Sequence, residues 1–172
     1  MYFQKINTDK PVWNIDFDIP KSGPVLYERH YTNVEEIIPP DLLDKFKSID
    51  MIPEYVRLFV WPINHCGIWH IDGTADVFRQ SALNWVIKGS GYIQFNSKVA
   101  LDLWPGVYRG CQGKFIDRCE SMTDGNGCVI NTSACHRVIT GEDGRNTISL
   151  GWKNNDIPFE LTVEKLRQIN MI

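Results

Sequence analysis

With 172 residues, 18 Lys and Arg against 21 Asp and Glu, the chain carries a formal net charge of −3 and no basic block. Clustered cations that neutralise phosphates are therefore not evident, which argues against a nucleic-acid partner, and no apolar run reaches bilayer-spanning length. The length favours one domain, able to bury roughly two thirds of its unfolded surface without disulfides.

The opening residues, Met1 to Asn7, lack a secretory pattern, so the expected compartment is the cytoplasm. The five cysteines are Cys66, Cys111, Cys119, Cys128 and Cys135, with no C-x-x-C pair among them, and free buried thiols are expected.

In chain order, residues 1–54 form a lead-in, with Val34–Ile38 too short to assign. Pro39–Lys47 reads as a short helix: proline suits a first helical turn, and Leu42, Leu43 and Phe46 share a stripe. Strands begin at Tyr55–Trp61, a run of β-branched and aromatic residues stopped by Pro62. Further runs are Ser81–Ile87, Gly91–Phe95, Gly127–Thr132, Val138–Thr140 and Asn146–Trp152. Glycine-bearing turns are expected between them at Lys88–Gly91, Thr123–Gly127 and Thr140–Gly144. Lys98–Met122, with large aromatics around Trp104, is the least regular part and suits either a binding loop or a covering hairpin. Thr162–Ile169 closes the chain as a short amphipathic helix. Many short strands at regular spacing argue an antiparallel sandwich or barrel.

Chemistry concentrates at a few positions. His70 and Asp72 are two apart, so in extended chain they project from one face and can reach one metal ion. His136 supplies a second imidazole from a distant strand. Two imidazoles and one carboxylate form the ligand set of a non-haem iron site with open positions. Cys135 faces away from His136 in a strand and so does not share that metal. Arg145 follows nine residues later, where a guanidinium would pair bidentately with a carboxylate. Taken singly, each has a structural reading: a hydrogen-bonded core histidine, a turn aspartate, an arginine at a hairpin end. His30 reads as a surface residue and His65 as a loop residue near the mouth of the site. Trp61, Trp69, Trp85, Trp104 and Trp152 read as core or rim packing.

The ordered set His70-Ile71-Asp72, His136 and Arg145 resembles the motif of the Fe(II)- and 2-oxoglutarate-dependent dioxygenase superfamily, over roughly residues 55–152. The resemblance implies a mainly β fold, a double-stranded β-helix (a jelly roll or cupin-like barrel) with a few flanking short helices. Residues 55–152 would be the metal-binding core of a single domain, with 153–172 as a C-terminal extension. It implies Fe(II) held by His70, Asp72 and His136, 2-oxoglutarate as cosubstrate, and O2. Arg145 would anchor the far carboxylate of 2-oxoglutarate. Arg79-Gln80-Ser81-Ala82-Leu83-Asn84 is similar to a segment of the aspartyl/asparaginyl β-hydroxylases, which would make Arg79 a second anchor and bring Asn84 near the cosubstrate. Asp72 and Arg145 together are closer to the prolyl hydroxylase pattern. Arg145-Asn146-Thr147 is similar to an Arg-x-Ser pattern, implying that the Thr147 hydroxyl helps hold the same carboxylate. The implied activity is hydroxylation of an amino-acid side chain or a small metabolite. The alternative is a non-redox cupin-like isomerase or ligand-sensing module. The substrate, whether small molecule or peptide, and the oligomeric state are not readable from the chain.

Overall fold

A computed structural model describes residues 1–13, 25–72, 79–96, 118–123, 125, 127–153 and 157–172, without the side chains of 118–121. Most of the Lys98–Met122 segment, including Trp104, lies outside the described residues.

The elements run β1 (Phe3–Lys5), β2 (Tyr27–Tyr31), α1 (Val34–Ile37), α2 (Pro40–Ser48), β3 (Pro53–Trp61), β4 (Ser81–Phe95), β5 (Arg118–Thr123), β6 (Gly127–Asn131), β7 (His136–Trp152) and α3 (Phe159–Gln168). The fold is mainly β, as expected, with short flanking helices. All strand pairs are antiparallel, in the order β1-β6-β4-β7-β3-β2, with β5 on the far half of β4.

β4 and β7 are the spine. The second half of β7 lies between β3 and the first half of β4; its first half lies against Gly91–Phe95. On its other edge that first half meets single bridges from the 65–70 segment, Cys66 to Ile139 and His70 to His136. The register shifts between Val86 and Lys88 and again between Gly89 and Gly91. The turns expected at Lys88–Gly91 and Thr140–Gly144 are therefore irregularities inside two long strands, not hairpin ends. Of the glycines in these two segments, Gly89 (77°) and Gly144 (67°) take the expected positive φ, and Gly91 and Gly141 do not. A Cβ at Gly89 would collide with the Gly144 carbonyl, so backbone packs on backbone where the two halves join.

This junction changes which residues face inward. Arg145, Thr147 and Ser149 line the central cavity on one side of the junction; His136 and Val138 line it on the other. A strand alternates faces with period two, so the excursion at Gly141–Gly144 is what puts an odd-numbered and an even-numbered series on one wall.

The main core lies on the opposite face of β3, β4 and β7. Val56, Leu58, Val60, Leu83, Trp85, Ile148, Leu150 and Trp152 pack there against Leu42, Leu43 and Phe46 of α2 and Phe159, Val163 and Leu166 of α3. Phe46 meets Trp152 edge-on at 5.5 Å. Each such side chain contributes roughly 1.5–3 kcal/mol on burial. Both helices are followed by a short polar residue at positive φ, Asp50 (52°) after α2 and Asn170 (56°) after α3, a left-handed stop these side chains tolerate. No helix among the described residues is long and apolar enough to cross a membrane. Cys66 and Cys128 are free thiols. Cys135 is disulfide-bonded, which corrects the expectation of free thiols throughout.

Candidate metal centre

His70 and His136 face each other across an antiparallel bridge and exchange both backbone hydrogen bonds, His70 N–H to His136 O at 2.9 Å and the reverse at 2.8 Å. Each ring is pinned by its own chain: Nδ1–H of His70 donates to Ile68 O (2.9 Å) and Nδ1–H of His136 to Ala134 O (2.8 Å). Those bonds occupy Nδ1 of each ring and turn the Nε2 side of both toward one point, where a metal would be held.

Both Nε2 atoms converge on one carboxylate oxygen. Asp72 Oδ1 is 3.4 Å from His70 Nε2 and 3.7 Å from His136 Nε2. The three donors lie within 4.8 Å of one another. Metal–ligand bonds of ~2.0–2.2 Å at right angles place adjacent donors ~3 Å apart, so a divalent ion fits with small adjustment. Asp72 lies just past the bridge, its N–H donating to Thr132 O at 3.1 Å. Cys135 packs with Trp69, apart from the cavity-lining His136.

The electrostatics suit a cation. Burial alone would raise the Asp72 carboxyl. The hydrogen bond to His70 and the nearby charges of His136 and Arg79 overcome it and hold the group well below the usual carboxylate range. Burial drives His136 down to about 4, so it stays neutral at ordinary pH. His70 moves the other way: burial pulls it down, and the hydrogen bond and charge of Asp72 outweigh that.

Arg79 is 4% exposed and touches Asp72 from behind. Its Nη1 lies 3.6 Å from Asp72 Oδ2, and its Nη2 donates at 2.8 Å to both Ser149 Oγ and Leu150 O. Thr132 Oγ1 closes the web on Arg79 O at 2.5 Å. Arg79 thus holds the carboxylate oxygen that does not face the histidines.

Arg145 is different. It is 2% exposed, and no acid pairs with it among the described residues. Nε donates to Thr147 Oγ1 at 2.9 Å, Nη2 meets the Met122 sulfur at 3.5 Å, and Nη1 has no partner. Burial lowers its pKa to about 10, which leaves it cationic at neutral pH. Asn84, also buried, has Oδ1 without a partner. Arg79, Asn84, Arg145 and Thr147 line one cavity of about 440 Å³ with the three candidate ligands. An unpaired buried cation is costly, which marks the place as built for an anion.

The wall formed by β2 and β3 was not legible in the chain as part of the site. Glu28 of β2 and Arg57, Phe59 and Trp61 of β3 line the cavity too. The alternation of β3, with Val56, Leu58 and Val60 in the core, would have put Arg57, Phe59 and Trp61 on one face; nothing in the chain showed that this face was the cavity. His65 lines the mouth, as the loop reading expected, and its N–H donates to Thr140 Oγ1 at 2.8 Å. His30 is exposed, with its ring edge-on to Tyr55 at 4.8 Å.

No family model matches this sequence, and no curated protein matches it. Solved structures do. Vicilin from hazelnut (Corylus avellana) is 12% identical with a TM-score of 0.44, covering 78% of this chain and 31% of its own. The plu4264 protein from Photorhabdus luminescens is 15% identical with a TM-score of 0.45, over 90% of this chain and 93% of its own. An oxidoreductase of the 2OG-Fe(II) oxygenase family from Burkholderia pseudomallei is 10% identical with a TM-score of 0.39, over 60% of this chain and 45% of its own. The chain thus spans about a third of the vicilin and under half of the oxidoreductase. At these identities and TM-scores none bears on the chemistry.

Proposed function

We propose that the protein is an Fe(II)- and 2-oxoglutarate-dependent oxygenase that hydroxylates an amino-acid side chain or a small metabolite. The observation that carries this is the pairing, in one cavity, of a two-histidine, one-carboxylate donor set with Arg145, a buried guanidinium whose Nη1 has no partner. A metal site alone would need no such cation; a cosubstrate with a carboxylate at each end needs both.

Bound together, iron and 2-oxoglutarate supply the oxidation of a C–H bond, with O2 as oxidant. The chain's part is to hold and shield. The Nδ1 bonds of His70 and His136 keep both rings aimed at the metal position. Arg79 lies against Oδ2 of Asp72, so Oδ1, which faces both histidines, would be the oxygen that holds the metal. Arg145, braced by Thr147, takes the far carboxylate in a charge-assisted contact. Arg79 has Asp72, Ser149 and Leu150 as partners, so its role is with the metal carboxylate and Arg145 is the main anchor.

Anaerobic titration tests this. Fe(II) with 2-oxoglutarate should give the visible charge-transfer absorption of their chelate, and neither alone should do so. Metal uptake with no such band, and no succinate formed in air, would favour the non-redox cupin alternative and overturn the oxygenase reading.

A further inference from the structure

The part of the cavity wall formed by β2 and β3 has a charge pattern that neither iron nor 2-oxoglutarate uses. Arg57 Nη1 lies 3.4 Å from Glu28 Oε1, a single loose contact, and Arg57 Nε is buried without a partner. Both side chains line the cavity. His30 stands opposite Arg57 in the strand register, and Glu28 opposite Phe59. The Arg57 guanidinium lies over the Tyr55 ring at 4.7 Å, which holds its plane. Further along the same face, Phe59 and Trp61 stack at 6.2 Å, and Trp61 meets His65 at 5.3 Å. Phe59 is the register partner of Thr147, and Trp61 of Arg145. The aromatic wall therefore adjoins the anion anchor, and the charged pair lies beyond it, opposite Ser149 and its partner Arg79.

We propose that this wall is the substrate subsite and that it takes a free α-amino acid with an apolar side chain. The proposal rests on the oxygenase reading for what happens to that substrate, and on the wall alone for its binding. An α-amino acid carries a carboxylate and an ammonium separated by one carbon. Arg57 and Glu28 present the complementary charges side by side. A loose, partly exposed ion pair gives up little when a zwitterion replaces each partner. The apolar side chain then lies along Phe59 and Trp61, in the same cavity as the metal ligands. A residue within a peptide has neither charge at its α-carbon and would leave both Arg57 and Glu28 unmatched.

The test is calorimetric titration of the full chain, loaded with Zn(II) and 2-oxoglutarate so that no turnover occurs, and also in metal-free form. The probes are L-leucine, L-phenylalanine and L-methionine, with N-acetyl-L-leucine, L-leucinamide and an uncharged leucine-containing pentapeptide as controls. At least one free amino acid should bind saturably, and blocking either charge of leucine should weaken binding about tenfold or more. Glu28→Gln should abolish the preference for L-leucine over N-acetyl-L-leucine, and Glu28→Asp should restore it. Arg57→Gln should abolish the preference over L-leucinamide. These are changes in selectivity, which general loss of structure would not produce. Binding of no free amino acid, or equal or tighter binding of the blocked forms or the peptide, overturns the subsite. Amino-acid binding without the iron–2-oxoglutarate absorption would retain the subsite and remove the oxygenase reading; the reverse result would remove only the subsite.

Discussion

Arg145 sets stability against ligand binding within one side chain. Its charge is buried at 2% exposure with Nη1 unpaired, so the empty protein bears a cost that a bound carboxylate relieves. Arg145→Met should therefore raise the unfolding temperature of the metal-free protein by a few degrees, about 1–2 kcal/mol. The same variant should need about 10- to 100-fold more 2-oxoglutarate, the worth of a charged hydrogen bond, while still binding iron. Calorimetric melts and a 2-oxoglutarate titration of the iron-loaded protein measure the two effects. Arg79→Gln should act elsewhere. It frees Asp72 Oδ2 from its cation and should weaken metal affinity about tenfold, read as metal retained after dialysis against a competing chelator. Burial pushes the Cys128 thiol from 9.0 up to about 12. The unfolded chain releases that proton first, so stability should fall as pH climbs from about 9 to about 10, by up to about 1.4 kcal/mol per unit; above about 10, where folded Arg145 loses its proton before the unfolded chain does, the two slopes oppose. Cys128→Ala should flatten that part of the denaturation profile. At neutral pH the exposed Cys66 should be alkylated and Cys128 spared.

Among the elements, the junction of β4 and β7 matters most. Gly89→Ala should cost well over 1 kcal/mol, because it combines an unfavourable φ with a clash against the Gly144 carbonyl. It should also displace Arg145, the register partner of Gly89, so 2-oxoglutarate binding should fall with stability. Urea denaturation and ligand titration of one preparation check both. The same junction shows what was legible in the chain. The runs Ser81–Ile87 and Gly91–Phe95 were readable from their β-branched and aromatic residues, and so was the helix near Pro40–Ser48 from its stripe. The continuity of β4 and β7 through their glycines was not, because a Gly-rich segment reads alike as a turn or a bulge. β1 and β2 were hidden because edge strands of three and five residues have too few positions for a pattern. The candidate ligands were legible because donor chemistry confines them to few residue types. Arg79 was legible only as a carboxylate binder; that its near carboxylate is Asp72 depends on Thr132 and Ser149, far off in the chain.

At the scale of the molecule, a metal joins segments distant in sequence, since His70 and Asp72 precede β4 and His136 opens β7. Binding confined to the native state should stabilise the fold by about 2.7 kcal/mol at a hundredfold excess over the dissociation constant. Fe(II) under argon, or Zn(II), should raise the melting temperature, EDTA should reverse it, and His136→Ala should abolish it. The reciprocal backbone bonds of His70 and His136 carry this further. Among the described residues that rung lies outside any named strand on the His70 side, joined only by isolated bridges, so it is a natural place for fraying. Occupancy of the centre would then be written into the exchange of two amide protons. Deuterium uptake at the His70 and His136 amides should slow on loading by more than the common slowing that global stabilisation gives the helix amides, making this rung a gauge of whether the ion is seated.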